Sequence, residues 1–319
     1  AGFFYGVCLE KPCTDQRKRV FRRHGRYMQT DPAVQMHVSM AQGKKKERRA
    51  VMVGQVKDKK VLFEDVPVSQ ALATMAVPTI ISQLINLVYN MVDAFFIGQT
   101  GNSYMVAAIS LTLTLVMMNT ALSNLYGVGG GSLVARLMGV SQNEECRRVS
   151  AFSVYTAALT ALAYSALIGV FIHPLLRFLG ASDETMTYAS QYTMLVIVIG
   201  GLFSMVSMTS AHLLRNAGYS GQASMGLSLG GVLNMGLDPL FMFVLLPKGQ
   251  EVVGAALATL LSNVIACVYL LVSIGKASRT APLSLKVTDA RETQKTSIRQ
   301  LFSVGVPSAI LTGLFDLAN

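Results

Sequence analysis

Between Val66 and Gly275 the chain passes through one apolar tract after another with almost no Lys, Arg, Asp or Glu to interrupt them. This feature narrows the possible folds more than any other. An uncharged stretch of about 18 residues or more is long enough to cross the hydrocarbon core of a bilayer as a helix. Inside lipid, every backbone N–H and C=O must find its partner within the segment or in a closed barrel. The tracts are of helical length, at about 71–97, 105–134, 150–172, 188–213, 223–246 and 252–274, and a further one begins near Leu301 and runs to Asn319. The reading is an all-α membrane protein with six complete helices and the start of a seventh.

Charge agrees with this reading. Only 14% of residues are charged, against about 25% in soluble chains, and much of that charge lies in the first 65 residues and a few short loops. A net charge of +10 would suggest nucleic acid for a soluble protein. In a membrane chain it suggests basic loops on the cytoplasmic side and contact with membrane lipid, so no nucleic-acid partner is expected. Arg136, Arg147 and Arg148 follow the second tract, Arg215 follows the fourth, and Lys276, Arg279, Lys286, Arg291, Lys295 and Arg299 follow the sixth. The alternate loops hold Arg177 and Lys248. This asymmetry predicts a multi-pass protein of the cell membrane with its N-terminus in the cytoplasm.

Four regions follow. Residues 1–65 are basic and lack the apolar core of a signal peptide, so they read as a cytoplasmic tail without a fold of its own. The first residue is Ala, and Met28, Met36, Met40 or Met52 could each be the true start. Residues 66–275 form a six-helix lobe, and 276–300 form a cytoplasmic connection in which Thr288–Glu292 could begin a short surface helix. Residues 301–319 are a seventh helix cut short. Leu72-Ala-Thr-Met-Ala-Val-Pro78-Thr79 matches Leu301-Phe-Ser-Val-Gly-Val-Pro307-Ser308 in spacing. Either two apolar helices coincide by chance, or the seventh helix restarts the plan of the first, as in transporters built from parallel repeats.

Charges within membrane helices are costly, so each needs a reason. Two carboxylates stand deep in the complete helices, Asp93 and Asp238. Asn234 and Asp238 are four apart and share a helix face. An amide oxygen and a carboxylate on one face can hold a proton or Na⁺ together. The alternatives are an interfacial Asp93 and an Asp238-Pro239 pair that ends its helix. Pro78 removes a backbone bond within the first helix and offers a bending point. Gly127, Gly129, Gly130 and Gly131 permit close helix packing, as do the small residues from Gly254 to Ala258. Thr259 adds a possible oxygen ligand. His173 and His212 are read as interfacial, and Met residues such as Met205, Met208 and Met235 as packing or as the lining of an adaptable cavity. The four cysteines show no metal spacing. No nucleophile–base pair or nucleotide motif suggests an enzyme, and no cofactor is expected.

The run Val77-Pro78-Thr-Ile-Ile-Ser-Gln83-Leu-Ile-Asn-Leu-Val-Tyr-Asn90-Met-Val-Asp93-Ala-Phe-Phe-Ile-Gly98 resembles the first helix of multidrug and toxic compound extrusion (MATE) transporters. Leu233-Asn234-Met-Gly-Leu-Asp238-Pro239, followed by Gly254-Ala255-Ala-Leu-Ala-Thr259, resembles the signature of that family's fifth and sixth helices, with the flavour of its bacterial, MepA-like branch. Pro174–Ala181 and Leu213–Gly218 resemble its connections around the fourth helix. The resemblance implies the N-terminal lobe of a twelve-helix antiporter that expels lipophilic cations in exchange for H⁺ or Na⁺. It assigns Asp93, Asn234, Asp238 and Thr259 to the coupling-cation site, with a backbone carbonyl from Ala255, Na⁺ possible at Asp93, Asn234 and Asp238, and Pro78 as the hinge. It also implies that a second six-helix lobe is needed for transport. Asp316 departs from the pattern, since the internal repeat places there the partner of Leu87: it is either a site residue of that second lobe or a reflection of the truncated end. Two rivals remain at this stage. A lipid-linked oligosaccharide flippase of the same superfamily would be expected to carry a basic cavity. A seven-helix receptor or scaffold would have its N-terminus outside and no use for the Asn234/Asp238 pair.

Overall fold

The computed structural model describes residues 68–247 and 249–318. The basic segment 1–65, Lys248 and the side chain of Asp316 lie outside the described residues. All regular structure among the described residues is helical: α1 (Val68–Gln99), α2 (Ser103–Gly139), α3 (Asn143–Val170), α4 (Ile172–Phe178), α5 (Asp183–Thr193), α6 (Gly201–Asn216), α7 (Ser220–Pro239), α8 (Glu251–Ala277), α9 (Val287–Arg291) and α10 (Lys295–Ala318). Two wide π turns, Met194–Ile199 and Leu240–Leu245, follow α5 and α7. Six helices are long and apolar enough to cross a membrane, and α5 with α6 forms a seventh, bent span.

The helices outrun the apolar tracts because a membrane helix does not end where lipid ends. Arg136 sits in the last turn of α2, Arg215 in the last turn of α6, and Arg147 and Arg148 in the opening turns of α3. The sequence reading placed all four in loops. α10 likewise starts at Lys295, inside the expected connection. Local chemistry sets several ends. Asn102 Oδ1 accepts the Tyr104 N–H at 3.0 Å to cap α2, and Ser182 caps α5 ahead of Asp183 and Glu184.

The expected fourth helix is not straight. Its two halves, up to Ile199 and from Gly201, meet at 47°. The Gly200 N–H reaches back five residues to the Leu195 carbonyl (3.0 Å), and Ser165 Oγ satisfies the Ile197 carbonyl (3.0 Å). A Cβ on Gly200 would lie 2.6 Å from the Val196 carbonyl oxygen, so the bend requires glycine there. At the other π turn Pro239 contributes no N–H, and the chain widens without ending. Asp238-Pro239 is therefore inside a span and not at its end.

α2 is the central element, in contact with α3, α5, α6 and α10. Its glycines take the closest contacts. Gly129 abuts the backbone of α10 at Leu301 and Gly305, and Gly305 in turn abuts the Leu125 carbonyl of α2. The Tyr126–Phe302 ring contact and a 3.1 Å hydrogen bond from Asn124 Nδ2 to Thr312 Oγ1 extend this seam. One apolar core lies around Val134, Leu213, Leu214, Leu270 and Ile274, and another around Met105, Ile197, Met242 and Val252. α1 runs unbroken through Pro78 and rests on α7 where Tyr89 and Ile85 meet Gly231. Its other face (Ile80, Ile81, Leu84, Leu87, Met91 and Phe95) is exposed, as suits a helix that faces lipid or another lobe.

A side chain at Gly305 would meet backbone, which cannot move aside. Gly305→Val should therefore cost about 1–3 kcal/mol and lower the melting temperature in detergent by several degrees. Gly139→Val, where nothing among the described residues lies within 4 Å, should leave it unchanged.

Candidate functional site

α7 and α8 run alongside each other through contacts between small residues. Gly254 on α8 seats against the backbone at Phe241 and Met242, with a Cβ there only 2.9–3.0 Å away, and Gly230 on α7 faces Ala266. This close approach sets Asn234 opposite Thr259. The Asn234 Nδ2 group donates to Asp238 Oδ1 at 3.2 Å and to Thr259 Oγ1 at 3.2 Å. Both amide hydrogens are thereby used, and Asn234 Oδ1 is left as an acceptor. Asp238 is fully buried and Asn234 is 3% exposed.

Three buried oxygens here have no hydrogen-bond partner among the described residues: Asp93 Oδ1, Asn234 Oδ1 and Asp238 Oδ2. Asp93 comes from α1 and lies near enough for its charge to act on Asp238. The three ion pairs among the described residues (Arg148 with Glu145, Arg148 with Glu292, and Arg177 with Asp183) are all elsewhere. Two carboxylates without a basic partner in an apolar surrounding cannot both ionise cheaply. The site therefore calls for a proton on one of them or a cation between them. Among the described residues no group of three or more His, Cys, Asp or Glu side chains converges. Two carboxylates with neutral amide and hydroxyl oxygens suit a proton or a monovalent ion better than a soft transition metal.

The site has two members that sequence reasoning missed. Tyr192 of α5, 4% exposed, lies beside Thr259 and within the field of both aspartates. Tyr89 of α1 lies within the field of both aspartates. Tyr89 stands four residues before Asp93 on the same helix face, a signal that was available. Nothing local could have pointed to Tyr192. Of the expected residues, Asp93, Asn234, Asp238 and Thr259 come together. Ala255 is fully buried one turn before Thr259, facing the core around Ile197 and Met242. Pro78 lies about 22 Å along α1 from Asp93 at 1.5 Å per residue. It could act on the site only through the helix as a lever.

His173 is exposed beside a helix start, as expected. His212 stands one turn before the end of α6 and is half-buried. It lies within α6 with its ring against Gly127 of α2, and its Nε2 is buried without a partner among the described residues. The apolar pattern hid it because the helix continues to Asn216.

The chain's residues 78–240 match the family model described as MatE. The multidrug export protein MepA of Staphylococcus haemolyticus is 30% identical over 257 residues, which cover 81% of this chain and 55% of that protein. The fold also matches solved structures of a multidrug resistance MATE family transporter of the MOP superfamily. The outward-facing form gives a TM-score of 0.70 at 26% identity, covering 76% of this chain and 52% of the other. The inward-facing form gives 0.67 at 25% identity, covering 77% and 55%. The chain thus spans about half the length of the relatives it matches.

Thr259→Val would leave a buried Asn234 N–H unpaired and should destabilise the protein by about 1–3 kcal/mol. Asp238→Asn removes a buried charge and should leave the melting temperature equal or higher. Thermal scans in detergent read both, and a large drop for Asp238→Asn would make that carboxylate structural.

Proposed function

The chain belongs to the MatE family, and from that premise we propose that it forms the ion-coupling lobe of an antiporter that exports lipophilic cations in exchange for H⁺ or Na⁺. The observation that carries the reading is the convergence of Asp93, Asn234 and Asp238, each with a buried unpartnered oxygen. Such a group accepts a proton or Na⁺ from one side of the membrane and releases it to the other. Na⁺, as cargo, would take oxygens from Asp93, Asn234 and Asp238, with Thr259 in reach of Asn234. The loaded site is neutralised and the empty site is charged. Any difference in how the two fit the position of α1 shifts the balance between conformations. A lipophilic cation favours the charged form, so drug and coupling ion compete through that balance.

A second six-helix lobe completes the path in this reading, and the apolar outer face of α1 meets either that lobe or lipid. The Lys and Arg at the α2–α3, α6–α7 and α8–α10 ends support a reading in which those ends and the N-terminus face the cytoplasmic side of the cell membrane. A flippase for lipid-linked oligosaccharide is disfavoured, because the buried charges at the site are acidic. A receptor or scaffold gives the carboxylate pair no work.

Efflux of a fluorescent lipophilic cation from efflux-deficient bacteria tests the proposal, with the chain expressed together with a second six-helix lobe. Efflux should follow an imposed proton or sodium gradient and fall at least ten-fold in Asp238→Asn at equal membrane level. Efflux that survives this substitution would move the coupling site elsewhere. No efflux from well-inserted protein would sink the exporter reading.

A further inference from the structure

We propose that Glu145 of α3, with Arg148 bridging it to Glu292, forms a lock on the start of α10, and that this lock opens when the end of the lobe carrying the α2–α3 turn opens during transport. The second half of this statement rests on the exporter reading above.

Glu145 occupies the first turn of α3 and is only 8% exposed. Its Oε1 accepts Ser297 Oγ at 2.6 Å and the backbone N–H of Gln294 at 3.3 Å, both at the start of α10. One carboxylate thus faces the positive ends of two helices, its own and α10. Its Oε2 lies 3.6 Å from Arg148 Nη1, and Arg148 Nη2 reaches Glu292 at 3.2 Å.

The segment between α8 and α10 is fastened to α3 at a second place. Ser150 Oγ accepts the Ser284 N–H at 2.9 Å, and the Tyr155 hydroxyl donates to the Leu285 carbonyl at 2.8 Å. Between the two fastenings lies α9, none of whose residues is buried.

The fastenings differ in kind. At Ser284 and Leu285 the bonds are neutral and hold backbone groups, and Ser150 and Ser284 are buried. The Glu145 fastening is ionic and borders an open cleft of about 560 Å³, lined by Asn143, Glu144, Gln294, Thr296 and Gln300. Water in such a cleft can replace the partners of the exposed Arg148–Glu292 pair at small cost, while Glu145 and Ser297 are themselves buried and part only when the helices do. The Glu145 fastening holds α10 itself, whereas the neutral one holds the connection before it, so it is the one that yields when α10 parts from α3, with residues 286–294 as the pivot. A transporter that works by alternating access must separate its repeats at each end in turn, and α10 is the first helix beyond the six of this lobe.

The test joins the two sides covalently. Glu145→Cys with Ser297→Cys, in a background whose other cysteines are serine, is oxidised with copper phenanthroline. Efflux of the fluorescent cation should fall at least ten-fold and return on reduction. Full efflux from cross-linked protein would overturn the lock. A second measurement needs no transport. Spin labels at the exposed positions 142 and 300, in nanodiscs, should give two distance populations, the longer one growing at least two-fold in Glu145→Ala and less in Glu145→Gln. One distance unchanged by Glu145→Ala overturns the proposal. A shift in distance without efflux from reduced or unsubstituted protein would keep the lock and count against the exporter reading alone.

Discussion

Close contact at the glycines of α2 is the constraint on which the lobe depends. Lipid tails are as apolar as leucine, so burial alone does not drive helices together in a membrane, and tight packing must hold them. Over five residues α2 offers four such contacts in three directions. Gly127 and Gly131 admit His212 and Asn216 of α6, Gly130 admits Ser153 of α3, and Gly129 admits the backbone of α10. A methyl group at any of these would meet an atom already in place. The same device recurs where Gly254 meets Phe241 and Met242, and that approach brings the carboxylate-bearing helix to Thr259.

This rigidity gives the polar site its character. Asn234 spends both amide hydrogens on Asp238 and Thr259, so the oxygens left over all accept and none donates. A buried cluster of acceptors is unstable by itself and stable with a positive charge, whether a proton or a metal cation. Asp93 and Tyr89 arrive on α1, which is held less closely than the other helices and shows a wide exposed apolar face. The charged groups are thus divided between a fixed pair of helices and one free to respond.

The two ends of the lobe are built differently. Hydroxyl, amide and carboxyl groups with small residues surround the cluster at Asn234 and Asp238. At the opposite end, ion pairs and helix termini border an open cleft between α3 and α10. The exposed ion pair with Glu292 exchanges readily with water, while the buried bonds of Glu145 and of Asn234 persist because little water competes for them.

The class of protein was legible in the residues alone, and so was the meeting of Asn234 with Asp238. Uncharged tracts of bilayer length leave no alternative to helices, and isolated aspartates in such tracts need a function. The spacing of Asn234 and Asp238 alone put them on one face. Helix ends were legible only to within a turn or two, because helices continue past the apolar region through Arg136, Arg215 and Lys295. The tertiary structure decided what spacing cannot carry: the bend at Gly200, the packing of His212 against Gly127, the arrival of Tyr192 at Thr259, and Glu145 facing the start of α10. Each depends on helices far apart in sequence meeting at one depth. That register is set by where small residues let backbones touch, not by any local pattern.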